Sequence, residues 1–142
     1  MTAATERPHA LIIEDELIIA MGLQAQLSDL GYGTFAFAGA ERQAYEQARL
    51  KCPDLVTVDV GLLDGSGLDA IEAILQTCGP LPVIYVTGDS AAVRDRPPGV
   101  VIEKPVGDPA LAKAVAEAKA RPQRPGVVFP GAPPGQVARH VT

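Results

Sequence analysis

Five residues in this chain have types and positions that would let them share one reaction site: Glu14, Asp15, Asp59, Thr87 and Lys104. Each stands at or just beyond the end of a short apolar run: Ala10–Ile13, Leu55–Val58, Val83–Val86 or Val100–Ile102. Carboxylates gathered at one rim are costly unless a cation balances them. Glu14, Asp15 and Asp59 offer only oxygen, a donor set that suits Mg²⁺ and disfavours zinc. An ion held there, with the Lys104 ammonium and the Thr87 hydroxyl, would grip the oxygens of a phosphoryl donor while one carboxylate attacks phosphorus in line. Asp59 is the best nucleophile, because it sits alone at the end of the central apolar run.

These residues need elements to bring them together, and the hydrophobic pattern supplies them. Wholly apolar runs of strand length read as strands buried on both faces of a parallel sheet. Between them, Leu17, Ile18, Met21, Leu23, Leu27 and Leu30 recur with helical period and stop at Gly31, where a helix C-cap belongs. Gly33–Ala38 reads as a further strand and Ala40–Leu50 as a helix. A turn over Gly61–Gly67, in which Gly65 and Gly67 serve positive φ, leads into a helix carrying Leu68, Ile71, Ile74 and Leu75. Asp108 and Pro109 supply an N-cap and a first-turn proline for a last helix reaching Ala120. The prolines and glycine of Arg94–Gly99 leave the fourth helix short or absent. The alternation predicts an α/β fold, a doubly wound five-stranded parallel sheet. Ligands of such sheets bind outside the carboxyl ends of the strands, where the five residues fall.

Four runs in order, Ala10–Glu16, Leu55–Asp59 with Asp64-Gly65, Pro82–Thr87 and Val101–Pro105, resemble response-regulator receiver domains over about residues 9–120. The resemblance implies the flavodoxin-like strand order 2-1-3-4-5. It makes Asp59 the phosphoacceptor of a histidine–aspartate phosphorelay, charged in a Mg²⁺-dependent step by a sensor histidine kinase or histidine phosphotransferase. It makes Glu14, Asp15, Asp59 and the Gly61 carbonyl the metal set, with Asp15 the direct ligand and Glu14 acting partly through water. Thr87, Gly88 and Lys104 would hold the phosphoryl group, and Pro105 would follow a cis peptide that aims Lys104 inward. The domain would phosphorylate and slowly dephosphorylate itself, with no outside substrate to turn over. Output would come by binding another protein or by draining phosphate from a kinase, as a monomer or a phosphorylation-dependent dimer. The run Tyr85–Gly88 further resembles a subgroup of α-proteobacterial stress and light-signalling receivers, often single-domain proteins. Three positions depart from the family: Leu63 replaces a frequent proline, Val101 replaces a switching aromatic, and Ser90–Gly99 is short. The last departure suggests that the Gly88–Gly99 loop itself carries the output.

The 142 residues, 47% apolar and 20% charged, fit one domain, and the net charge of −5 argues against direct nucleic-acid binding. No apolar run approaches the ~20 residues of a membrane helix. A cytoplasmic protein is expected, with Cys52 and Cys78 as reduced, inert thiols. Residues 1–8 and the Pro/Gly-rich 121–142 read as flexible ends, with His9 and His140 in or beside them. Two rival functions fit the same residues. One is a pseudo-receiver that binds partners without phosphotransfer. The other is an aspartate-nucleophile phosphohydrolase, which would want an acid where this chain has Gly61.

Overall fold

The computed structural model describes residues 7–61, 65–88 and 98–121. Its strands are β1 (His9–Ile13), β2 (Thr34–Ala38), β3 (Leu55–Asp59), β4 (Val83–Thr87) and β5 (Val100–Glu103). Among the described residues its helices are α1 (Leu17–Asp29), α2 (Glu41–Leu50), α3 (Gly67–Cys78) and α4 (Asp108–Ala120). All strands pair in parallel in the order β2-β1-β3-β4-β5, as the resemblance implies. The continuous apolarity of β1, β3 and β4 has its cause in burial along their full length.

Alternate strand residues serve two cores. Ala10, Ile12, Leu55 and Ile84 pack against α1 and α4, whereas Leu11, Ile13, Val56 and Tyr85 pack against α2 and α3. Each buried Leu or Ile contributes about 1.5–3 kcal/mol, so the central strands hold a fixed register. That register sets the residues at their carboxyl ends side by side: Asp59 pairs with Val86, one residue before Thr87, and Thr87 pairs with Glu103, one before Lys104.

Helix α1 ends as its sequence suggests. Gly31 adopts φ +106°, Gly31 N–H donates to the Ser28 carbonyl and Tyr32 N–H to the Leu27 carbonyl, which together form a Schellman motif. The apolar face of α1 is broader than a core requires. Ala20, Leu23 and Leu27 are buried, while Leu17, Ile18 and Met21 are 72%, 84% and 57% exposed. At α4, Pro109 lies in the first turn, but the N-cap is Gly107 and Asp108 does not cap the helix. Its Oδ1 instead accepts from Gln26 Nε2 of α1 at 2.7 Å, and the same amide donates to the Val106 carbonyl at 3.0 Å.

Two other expectations are corrected. His9, placed by its sequence at the edge of a flexible end, is the buried first residue of β1. Its N–H donates to Asp54 Oδ2 at 2.7 Å and its Nδ1 lies 2.9 Å from Thr34 Oγ1. Burial, helped by Lys51, lowers its pKa against the opposing pull of Asp54 and Thr34. The second correction concerns the cysteines, which are not reduced thiols: Cys52 and Cys78 form a disulfide with a Cα–Cα distance of 5.7 Å. Helices that follow parallel strands on the same face run side by side in the same sense, so the C-terminal ends of α2 and α3 are neighbours. A separation of 26 residues carries no local sign of that meeting. Leu63, the Ser90–Pro97 part of the shortened segment, the tail from Pro122 and His140 lie outside the described residues.

Candidate functional site

Glu14 immediately follows β1, and its N–H donates to the Ala38 carbonyl of β2 at 2.8 Å, which extends the sheet by one bond and fixes the side chain above the rim. Glu14, Asp15 and Asp59 each present a carboxylate oxygen, all within 4.8 Å of one another. Lys104 Nζ lies 3.2 Å from Asp59 Oδ2 and 3.3 Å from Glu14 Oε1, with Glu16 Oε2 at 4.0 Å. The lysine is placed by its own backbone, because Lys104 N–H donates to the Thr87 carbonyl at 2.8 Å. The Lys104–Pro105 peptide is cis, as expected.

Asp59 is held from both sides. Its Oδ1 accepts from Gly61 N–H at 2.9 Å and its Oδ2 from Lys104, so the plane of the carboxylate is set. Beneath it sits the first residue of α3. A Cβ on Gly67 would collide with the Asp59 carbonyl oxygen and come within 2.9 Å of Val60 Cα, which gives the glycine its reason. The expectation of positive φ holds for Gly65, at +92°, and fails for Gly67, where close approach is the constraint. Ser66 caps α3, its Oγ accepting from Asp69 N–H at 3.3 Å. Thr87 is buried at the end of β4, and Gly88 follows it, exposed.

Four of the residues expected from sequence, Glu14, Asp15, Asp59 and Lys104, therefore meet. Gly61 reaches Asp59 through its N–H, and Thr87 ends the neighbouring strand. Two contributors were not anticipated. Glu16, read only as part of the acidic run, is the third acid near Lys104. Glu41, at the start of α2, accepts the Ser66 N–H at 2.8 Å and so steadies the turn that follows Asp59; nothing local to Glu41 signals this.

The charges are out of balance. Burial, reinforced by the charge of Asp59 and opposed by the Glu16 N–H and Lys104, pushes the Glu14 pKa from 4.5 to about 7. For Lys104 burial acts to lower the pKa, but the Asp59 hydrogen bond and the Glu14 charge outweigh it and hold the ammonium above its ordinary value. Glu14 Oε1 is buried and, although ion-paired, makes no hydrogen bond of good geometry. An excess of acid, with a buried oxygen that lacks a well-formed hydrogen bond, is a donor set that fits a hard divalent cation, and Glu14, Asp15 and Asp59 could hold one.

A pH dependence follows. The folded, metal-free protein holds the Glu14 proton more tightly than the unfolded chain does. The resulting stabilisation is fully present below about pH 4.5 and is lost as pH rises through about 7. Thermal unfolding in chelator should lose roughly 3 kcal/mol over that window. Glu14→Gln should flatten the loss, and equal slopes in the two proteins would contradict the assignment.

Known proteins resemble this chain in sequence and in fold. The response regulator receiver domain family matches residues 10–116. The chain is 39% identical over 118 residues to the phyllosphere-induced regulator PhyR of Methylorubrum extorquens, covering 80% of this chain and 43% of that protein. The solution NMR structure of the Erythrobacter litoralis PhyR response regulator REC domain aligns with a TM-score of 0.72 at 32% identity, over 84% of this chain and 97% of that one. The crystal structure of the anti-anti-sigma factor PhyR from Bartonella quintana aligns at 0.69 and 28% identity, over 82% and 49%. The likeness is thus to PhyR-like α-proteobacterial receivers, the direction in which Tyr85–Gly88 pointed. The chain spans less than half the length of the curated relatives it most resembles here.

Proposed function

Because this chain belongs to the response regulator receiver domain family, we propose that it acts in a histidine–aspartate phosphorelay and that Asp59 is the residue phosphorylated. The observation that carries this reading is the Asp59 carboxylate, gripped by Lys104 at 3.2 Å and by Gly61 N–H, with Glu14 and Asp15 beside it. Glu14, Asp15, Asp59 and the Gly61 carbonyl would hold a Mg²⁺ ion, and that ion would supply charge neutralisation for the phosphoryl oxygens. The chain's own groups do the rest. An Asp59 oxygen forms a bond to phosphorus as the phosphorus–nitrogen bond of the donor's phosphohistidine breaks, and the departing imidazole takes up a proton. Lys104 passes from Asp59 to the new phosphoryl oxygens, and the Thr87 hydroxyl and Gly88 N–H complete their hydrogen bonding.

The donor's landing place lies next to Lys104. A groove of about 490 Å³ runs between α1 and the loop after β5, lined by Ile18, Gly22, Gln26, Lys104, Pro105 and Val106. Exposed Leu17 and Met21 continue its apolar wall on α1. A kinase or histidine phosphotransferase docked there brings its phosphohistidine to the acidic site. Output follows by contact with a downstream protein or by drainage of the kinase, and the setting is the cytoplasm. Among the described residues no helix is long and apolar enough to cross a membrane.

The test is phosphoryl transfer from a phosphohistidine donor. Label should appear in Mg²⁺, vanish in chelator and be released by hydroxylamine, as an acyl phosphate is. A chain that takes no label from any donor and binds no beryllofluoride would be the pseudo-receiver. Sustained turnover of simple phosphoesters would mark the hydrolase.

A further inference from the structure

The Cys52–Cys78 disulfide is remote from the acidic site, yet one rigid element joins the two. Cys78 is the last residue of α3 and Gly67 the first, so 12 residues of helix, roughly 17 Å at about 1.5 Å per residue, separate the disulfide from the floor of the site. At that floor Gly67 abuts the Asp59 carbonyl so closely that no Cβ fits. Helices α2 and α3 are thus fastened at both ends. The disulfide ties their C-terminal ends, and Glu41 on Ser66 N–H ties their N-terminal ends beside the turn after Asp59.

The fastening at the disulfide end is reversible by its position. Cys52 is exposed and Cys78 half-buried, so a thiol in solution can reach the Cys52 sulfur. Cys78 packs against the edge of the core beneath both helices, whose buried residues Ala44, Ala48, Ile71 and Ile74 come from the helices themselves. A receiver that meets its kinase in the cytoplasm works where disulfides are chiefly transient and redox-sensing.

We propose that Cys52 and Cys78 form a thiol–disulfide switch that acts on the acidic site by seating or releasing α3 beneath Asp59. The proposal rests on the phosphoacceptor reading above for its effect on phosphate lifetime, but not for the movement of α3. The reductant is a thiol of the glutathione class. Its thiolate attacks the Cys52 sulfur, the disulfide bond breaks and Cys78 leaves as a thiolate. A second thiolate then attacks the mixed disulfide and releases Cys52. Two external thiols are oxidised to one disulfide, and their two protons end on Cys52 and Cys78. In the oxidised chain α2 and α3 move as one unit. In the reduced chain the Glu41–Ser66 bond and packing alone hold α3, so residues 65–70 open more often.

The experiment uses the full chain in buffers of graded reduced-to-oxidised glutathione ratio. Alkylation and intact mass give the number of free thiols, and amide exchange follows residues 65–70 without Mg²⁺. Exchange there is expected to be about threefold or more faster in the reduced protein, with a comparable change in the lifetime of the phosphoryl label. The Cys52→Ser/Cys78→Ser variant should match the reduced form in every buffer while keeping the far-UV circular dichroism of the parent. Thiols that stay free at every ratio, or equal exchange at 65–70 in the two states, would overturn the switch. Redox-dependent exchange in a chain that takes no label in either state would support the seating of α3 and defeat the phosphoacceptor reading instead.

Discussion

Asp59→Asn is expected to accept no phosphoryl group from a phosphohistidine donor, a fall of at least about a thousandfold to background. The substitution is nearly isosteric. Its carboxamide oxygen can still accept the Gly61 N–H that now holds Oδ1 at 2.9 Å, so the turn and the sheet end should persist. The anionic oxygen that attacks phosphorus is what disappears. The ion pair with Lys104 goes too, and this has a second, independent readout. The charge of Asp59 is one of the influences raising the Glu14 pKa, after burial, so its removal should move the Glu14 midpoint down. A carboxyl resonance of Glu14 followed by NMR would show it. Retained label in Asp59→Asn would place the phosphoacceptor elsewhere, whatever Glu14 does.

Gly67→Ala is expected to be the most damaging single methyl in the described structure. The added carbon meets backbone, namely the Asp59 carbonyl and Val60 Cα, and backbone cannot rotate away as a side chain can. Overpacking of this kind costs about 2–3 kcal/mol even after the better helix propensity of alanine is counted. For a domain of this size that is roughly a 10 °C fall in Tm. Gly65→Ala is the control. There the glycine is needed for φ +92°, and the new carbon would also crowd Glu41, coming within 2.5 Å of its Cβ, which is fixed to α2, and 2.7 Å of its Oε1. The backbone conformation alone should cost about 1–2 kcal/mol, and the clash with Glu41 should loosen its contact with Ser66. Thermal unfolding of the two variants side by side decides the ranking. Equal costs would mean that α3 can retreat from Asp59 at little expense.

The sheet was legible in the sequence because burial on both faces leaves an unbroken apolar mark, as in β1, β3 and β4. The same feature made the site legible, since Glu14, Asp59, Thr87 and Lys104 each stand at the end of such a mark. What local pattern could not carry was contact between elements distant along the chain. Cys52 meets Cys78, and Glu41 meets Ser66, only because α2 and α3 lie side by side on one face. Asp108 has the residue type of an N-cap, yet a stronger partner, Gln26, claims its carboxylate from α1. Gly67 sits where turn glycines sit, so its steric role is hidden until β3 and α3 are brought together. Apolar residues of α1 likewise look alike in sequence, and only the position of the sheet separates buried Leu23 from exposed Ile18.

Gln26 carries one more consequence. Its amide, bonded at once to the Val106 carbonyl and the Asp108 carboxylate, makes α1 and the chain after Lys104 a single wall around the groove. The loop bearing Lys104 is therefore ordered when the domain folds, before any donor arrives. Conformational entropy that a loose loop would surrender at each encounter is already gone, which leaves more of the contact energy to hold the donor in register with Asp59.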